Sequence, residues 1–283
     1  MLFLKVVYVN AMRLAVYIGK DSGEQDSRVT GLFQTLTQAE VQLCMLAYGE
    51  TPSHDTDMLL SVGGDGTFLY SAKLVKDSGI PVLGVNIGRV GFLSENRPED
   101  VADAILKGEY TIESRTILRA CATPSGMSDE ISDYALNEIT VHRTGAAMLG
   151  VDVDIDGVEL PTYWADGLVV STSSGSTAYS LSVGGPIVLP ESKVLIISPI
   201  APHNLNIRPL VVPDSSVLNL RMHSRDGKFA LTADNRTVEV AEDVMLTVSV
   251  AQFSLRRVRL NKSNFITALT EKLHWGEDVR NIR

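Results

Sequence analysis

Along the first third of the chain, short apolar runs alternate with stretches whose apolar residues recur every three or four positions. Residues 14–18, 57–61 and 80–85 are runs of the kind that forms strands buried on both faces, and each leads into glycine. Between them, residues 29–46 carry helical spacing, interrupted by Gly31, and residues 68–76 read as a helix stopped near Gly79 and Pro81. Residues 98–106 read as a further helix, with Asn96 as its N-cap and Gly108 as its stop. Strand, helix, strand, helix with short loops predicts a doubly wound parallel α/β domain over residues 1–110.

Past Tyr110 the period changes to two. Val151, Val153 and Ile155 interleave with Asp152, Asp154 and Asp156, and Asp156-Gly157 marks a hairpin turn. Leu218, Leu220 and Met222 alternate with Asn219, Arg221 and His223, and residues 238–250 and 253–260 continue in the same way. Residues 111–263 therefore predict an antiparallel, sandwich-like β domain. Residues 264–275 predict a last helix that returns to pack on the first domain. The fold class is thus α/β plus all-β.

The 283 residues suit one large or two ordinary domains, and 45% apolar content supplies their cores. A net charge of −9 argues against a general nucleic-acid surface or an anionic membrane face. Cys44 and Cys121 suggest neither a disulfide framework nor a zinc site and are expected as small buried hydrophobes. No apolar run approaches the roughly 18 residues of a membrane span. Residues 1–9 lack the features of a signal peptide, so the expected location is the cytoplasm. Met12 opens a strand of its own, so residues 1–11 are expected to be dispensable.

The chemistry centres on Val62-Gly63-Gly64-Asp65-Gly66-Thr67-Phe68, a glycine-rich turn between a buried strand and a helix. Glycines let backbone N–H groups approach a phosphate chain, and the helix N-terminus favours its charge. A carboxylate there is awkward unless Asp65 orders a metal or receives a proton from an attacking hydroxyl. Otherwise the stretch is a plain turn with a solvated Asp. Asn86-Ile87-Gly88-Arg89-Val90-Gly91-Phe92-Leu93 forms a second glycine-rich loop after a strand.

Two polar clusters interrupt the β part. Asn137-Glu138 suits the donors and acceptors of ribose hydroxyls, although its local sequence reads first as an edge-strand pair facing water. From Asp166 to Pro186 an apolar strand runs into a crowd of small hydroxyl residues, which can cap a helix or contact a ligand. Tyr179 offers a ring for a base to stack on, or is core.

Taken in order, these motifs resemble the NAD kinase family. Gly63-Gly64-Asp65-Gly66-Thr67 is similar to its G-G-D-G-T signature, residues 86–93 to its N-x-G-x-x-G-F-L segment, and Asn137-Glu138 to its N-E pair. Residues 166–186 resemble its D-G-x-x-x-S-T-x-x-G-S-T-A-Y-x-x-S-x-G-G-P block, and Pro202-His203 with Arg208-Pro209 a further stretch. The resemblance implies phosphorylation of the adenosine-ribose 2′-hydroxyl of NAD by ATP or another donor, with a divalent metal, Mg²⁺ as the expected ion. It implies Asp65 as the group that takes the proton. Gly63, Gly64, Gly66, Thr67, Asn86 and Gly88 would bind phosphate or nucleotide. Asp65, Gly66, Asn137, Glu138, Asp166, Ser174, Thr177, Ala178, Tyr179, Ser180, Leu181, Ser182 and Asp234 would hold NAD. It names no metal ligand, and it implies a homodimer or homotetramer with Asp166 reaching a neighbour's ligand.

The chain departs from the family pattern in places. Asn235 follows Asp234 where glycine is common, and Ser173 replaces a proline, which is expected to loosen that turn. Trp164 and Tyr70 stand where many members carry a basic residue, leaving phosphate neutralisation to metal, backbone, Arg89 or His203. Two alternatives carry the same turn: a diacylglycerol-type lipid kinase, and a non-catalytic NADP sensor.

Overall fold

A computed structural model of the protein describes residues 12–19, 26–88, 91–123, 131–262 and 264–275. Residues 1–11 and Arg89 lie outside them, and with them the expectations they carry. The chain divides into two units, one running to Glu113 and resuming at Arg256, the other Ser114–Leu255.

The first unit runs through β1 (Arg13–Ile18), α1 (Ser27–Gln38), β2 (Gln42–Met45), β3 (Met58–Val62), α2 (Asp65–Val75), β4 (Val82–Val85), α3 (Pro98–Lys107) and β5 (Tyr110–Arg115). β1 pairs in parallel with β2 and β3, and β3 with β4. Leu14, Val16, Leu60, Leu83 and Val85 are fully buried, which is why the continuous apolar runs became these strands. Each such side chain contributes about 1.5–3 kcal/mol on burial. Asp26 caps α1 by accepting from the Arg28 amide at 2.8 Å, while α3 opens on Pro98 and ends at Gly108 with φ 67°.

Three local expectations need correction. The helical region 29–46 stops at Gln38, and Gln42–Met45 is instead an edge strand. No glycine or proline marks that stop: Glu40 takes the left-handed conformation at φ 62°, and the edge strand is too exposed to read as a buried run. Cys44, on that edge, is exposed rather than buried, and Cys121 is half-buried. Asn96 does not cap α3, since Arg97 holds that place and the Asn96 side-chain amide donates to the Gly84 carbonyl at 2.8 Å.

The second unit contains β6 (Leu118–Thr123), β7 (Ile131–Ala135), β8 (Glu138–Arg143), β9 (Leu149–Ile155), β10 (Val158–Glu159), β11 (Tyr163–Ala165) and β12 (Gly167–Thr172). A 3-10 turn (Ser174–Thr177) and the short α4 (Tyr179–Ser182) follow. Then come β13 (Val194–Ile200), β14 (Leu210–Pro213), β15 (Leu218–His223), β16 (Lys228–Ala233), β17 (Arg236–Ala241) and β18 (Met245–Val250). One sheet has the order β10-β9-β15-β18-β6-β7, with β11 on β9, and the other β14-β13-β12-β8-β16-β17. Their inward residues, among them Val151, Leu220 and Val248 from one sheet and Val141, Leu168 and Ile197 from the other, share one core. This is the sandwich that the period-two alternation predicts. Asp156 (φ 53°) and Gly157 (φ 86°) form the expected hairpin turn.

The return to the first unit begins earlier than the final helix. β19 (Leu255–Leu260) was expected to continue the β part, yet it lies parallel to β4 and neighbours β5 in the first sheet. Its alternation misled because Arg257 is buried, not solvated: Glu95 and Glu113 pair with its guanidinium. α5 (Phe265–Leu273) follows, capped by Asn264, and buries Ala268 and Leu269. Among the described residues no helix is long and apolar enough to cross a membrane.

Candidate functional site

In the first unit the site grows from the turn between β3 and α2. Gly63 has φ 150°, and a Cβ there would overlap the Thr67 side chain, so the fold itself demands glycine. Gly64 and Gly66 are different. Both are exposed, and a Cβ at either would meet nothing within 4 Å, so packing does not require glycine at these positions. Gly64 occupies the N-cap position and has no side chain with which to satisfy the first-turn N–H groups of α2.

Asp65 is the first helical residue, and its carboxylate turns to the second glycine-rich loop. Oδ2 accepts from the Phe92 amide at 2.9 Å, and Oδ1 from the Leu93 and Ser94 amides at 3.1 and 2.9 Å. A carboxylate has about four lone-pair sites, so three are pinned by backbone and one, on Oδ2, is left. The two motifs are thus one object. The Ser94 hydroxyl adds a bond to the Gly64 carbonyl at 3.3 Å.

The carbonyls of the same loop are held from elsewhere. Asn86 donates to the Ser94 carbonyl at 3.0 Å, and its oxygen accepts from the Gly88 amide at 2.8 Å. Both ends of its buried side chain thus bond inside the loop. Arg257 bonds Glu95 at 2.5 Å and reaches the Leu93 carbonyl at 3.4 Å. Lys272 of α5 donates to the Gly91 carbonyl and lies 4.5 Å from the centre of the Phe92 ring. Burial pushes the Lys272 ammonium below the usual lysine range. Arg257 and Lys272 had no signal as site residues, because an Arg alternating with apolar residues and a Lys on an amphipathic helix read as solvated faces. Tyr70 places its hydroxyl on the Gly49 amide at 2.8 Å.

The second unit repeats the device. Asp234, at φ 52°, accepts from the Leu136, Asn137 and Glu138 amides at 2.9, 2.8 and 3.3 Å. This fixes the bend between β7 and β8 and brings Asp234 to the Asn137-Glu138 pair. Thr172 Oγ1 donates to the Leu136 carbonyl at 2.7 Å and accepts from the Gly175 amide at 3.0 Å. A Cβ on Gly175 would overlap the Asn137 carbonyl, so glycine lets the hydroxyl-rich junction press onto the pair.

Glu138 is buried, and its Oε2 has no hydrogen-bond partner among the described residues. Burial, helped by the nearby Asp234 charge and opposed by the Tyr179 amide, pushes its carboxyl up to about 8. Near neutral pH it is therefore mostly an un-ionised acid, able to donate a hydrogen bond as well as accept one.

The hydroxyl run divides in two. Ser171, Thr172, Ser173 and Ser176 bond to backbone inside the fold. Ser173 does not loosen its turn as expected, since its hydroxyl ties it to the Ser192 carbonyl. Ser174, Thr177, Ala178 and Leu181 are half-buried, Ser182 is exposed, and the Tyr179 ring is exposed instead of core. Ser180 is fully buried, its hydroxyl 3.5 Å from that of Ser198.

Asp166 is not brought to Glu138. β12 and β8 pair Ser171 with Glu138, whereas Asp166 precedes Gly167 at the other end of β12 and binds Arg143 Nε at 2.6 Å. Five extended residues put roughly 17 Å between them. His203 is exposed, on a loop where Arg208 bonds the Leu205 and Ile207 carbonyls. Trp164 is exposed and covers Gly150.

Comparison with known proteins gives a consistent result. Residues 10–110 match the family described as ATP-NAD kinase N-terminal domain, and residues 136–260 the ATP-NAD kinase C-terminal domain. The chain is 44% identical over 232 residues to the NAD kinase of Flavobacterium psychrophilum, covering 80% of this chain and 78% of that one. It is 35% identical to that of Bacteroides fragilis, covering 95% of this chain and all of the other. Among solved structures, it is similar to an NAD kinase from Archaeoglobus fulgidus in complex with ATP, with a TM-score of 0.74 and 30% identity over 93% of this chain and 99% of that one. It shares the fold of yeast NADH kinase complexed with NADH, with a TM-score of 0.86 and 23% identity over 96% of this chain and 90% of that one.

Proposed function

The chain belongs to the NAD kinase family, and on that premise we propose that it moves the terminal phosphoryl group of ATP to the 2′-hydroxyl of the adenosine ribose of NAD. The observation that carries the reading is Asp65: a carboxylate in the first turn of a glycine-opened helix, pinned on three sides by amides, with one oxygen position left. Family membership sets aside the lipid kinase and the non-catalytic sensor.

The phosphate chain lies on the exposed backbone of Gly64 and Gly66, where the α2 N-terminus favours negative charge. Asp65 orients the ribose hydroxyl through Oδ2. A sugar hydroxyl is too weak an acid for a carboxylate to ionise beforehand. In a loose transition state the new oxygen–phosphorus bond forms as the bond to ADP breaks, and the proton passes late to Asp65. Asn137 and un-ionised Glu138 supply donors and acceptors to the dinucleotide hydroxyls, with Asp234 fixing their backbone. Tyr179 takes a base on its exposed face, flanked by Ser174, Thr177 and Ala178.

A divalent cation supplies charge screening on the triphosphate, and Mg²⁺ enters with the donor as magnesium–ATP. Among the described residues no cluster of three His, Cys, Asp or Glu could hold a metal ion, so this role fits a substrate-borne ion better than a resident one. The separation of Asp166 from Glu138 within one chain supports a homo-oligomer in which Asp166 serves a neighbour's dinucleotide. The cytoplasm, where ATP and NAD are both available, is the proposed location. Incubation with magnesium–ATP and NAD, with NADP read by a coupled NADP-specific dehydrogenase, tests the reading. NADP formation is expected, and its absence would overturn it.

A further inference from the structure

We propose that Arg257 is a positioning residue for Asp65, gripping from behind the peptide groups whose amides hold the carboxylate. The inference rests on the kinase reading above and adds to it a cation that works through the second glycine-rich loop.

A peptide unit is planar, with the carbonyl oxygen of one residue at one end and the N–H of the next at the other. Three consecutive units donate to Asp65, through the Phe92, Leu93 and Ser94 amides. The oxygen ends of these same units belong to Gly91, Phe92 and Leu93. Lys272 donates to the Gly91 oxygen, and Arg257 Nη2 donates to the Phe92 oxygen at 3.5 Å and the Leu93 oxygen at 3.4 Å. Every unit that binds the carboxylate therefore has a cation at its other end, and Arg257 supplies two of the three. Each such contact draws electron density toward the oxygen and strengthens the N–H as a donor, by about 10–30% per bond.

The surroundings of Arg257 point to geometry as its role. It is buried, with Glu95 at 2.5 Å and Glu113 at 3.7 Å balancing its charge. Leu255, Val258 and Leu260 are its buried neighbours on β19, so an apolar residue would suit the strand. Burying ions carries a large desolvation cost, and a well-packed apolar replacement for a buried pair is often neutral or stabilising. What such a replacement lacks is a donor for the two carbonyls. One nitrogen of the guanidinium reaches the Phe92 oxygen, the Leu93 oxygen and Glu95, which ties the loop around Asp65 to β19 and, through β4, to the sheet. A displacement of about 1 Å at a reacting group is enough to lower a rate by about 10²-fold.

The test measures kcat, the KM values for ATP and NAD, and Tm in the full chain. Arg257→Met alone strands Glu95 in the core, so the charge-balanced pair Arg257→Met with Glu95→Gln is measured beside it, leaving Glu113 to Arg259 at 2.9 Å. In the pair kcat should fall roughly 10- to 100-fold, with both KM values within about twofold of the parent. Arg257→Lys, a cation without the planar fork, should fall between the two. Arg256→Gln, whose parent side chain bonds the Gly79 carbonyl at 3.1 Å, should match the parent. The readout specific to positioning is the Asp65→Asn background. There the same pair of changes should lower kcat by less than about threefold, because its effect runs through the carboxylate. A kcat near parental in the pair overturns the proposal, as does an equal loss in the Asp65→Asn background. Absence of NADP formation by the parent would instead overturn the kinase reading. Amide exchange at Phe92, Leu93 and Ser94 still decides whether Arg257 holds the loop: faster exchange in the pair supports it and unchanged exchange refutes it.

Discussion

Gly91 has no side chain because the carboxylate of Asp65 lies where its Cβ would be. That exclusion separates two ways of damaging the site. Asp65→Asn removes the proposed proton acceptor and sets an amide donor against the loop N–H groups. kcat should fall by roughly 10²–10⁴-fold, with the Kd for NAD little changed. Gly91→Ala keeps the carboxylate and displaces it, so kcat should also fall, by about 10²-fold. Near-parental turnover in Asp65→Asn would leave the turn as a phosphate cradle only. Partial rescue by raised Mg²⁺ with weakened ATP binding would instead assign Asp65 to metal ordering.

Lys272 acts on the same loop through the Gly91 carbonyl and the Phe92 ring. Lys272→Met keeps the aliphatic stem and loses the donor, so kcat should drop by roughly 3- to 30-fold, the scale of one charge-assisted hydrogen bond. Lys272→Arg should restore most of it. Because burial lowers the Lys272 pKa, the parent should lose activity on the alkaline side where Lys272→Arg does not. A pH–rate profile of the three proteins checks this.

Glu138 gives the ligand-free fold a pH dependence of predictable sign. Its carboxyl is raised from 4.5 to about 8, so the folded chain keeps a proton that the unfolded chain releases. That contribution is complete below about 4.5 and is lost as pH rises toward about 8. The slope is at most about 1.4 kcal/mol per pH unit. Glu138→Gln, neutral throughout, should gain stability relative to the parent as pH goes from about 5 to 8. Urea melts at several pH values measure the difference, and parallel curves would refute it.

Asp166 and Asp65 should complement one another. Mixed oligomers of Asp65→Asn and Asp166→Ala chains should recover part of the parental activity, because some sites inherit both intact groups. No recovery after confirmed subunit exchange would place Asp166 within its own chain's site.

Asp65, Asn137-Glu138 and Tyr179, the proposed site residues, stand out in the sequence because each is a rare residue type in a patterned stretch. A carboxylate among glycines and an amide–acid pair interrupting a strand-like run stand out locally. The contacts of Arg257 and Lys272 were not legible. Their partners include Glu95 and Gly91, and a contact across such a gap leaves no periodicity in either segment.

What the sequence determined by itself was local in origin. Apolar runs ending in glycine dictated the parallel strands, period-two alternation dictated the sandwich, and Pro98, Gly108 and Asp156-Gly157 set boundaries through their own backbone preferences. The tertiary structure decided which strand closed the first sheet and where each polar side chain spent its hydrogen bonds. β19 could join β4 only once Glu95 and Glu113 made burial of Arg257 tolerable. The two aspartates became clasps because three consecutive amides converged on each. Such convergence costs chain entropy over long loops and is repaid only in the assembled fold.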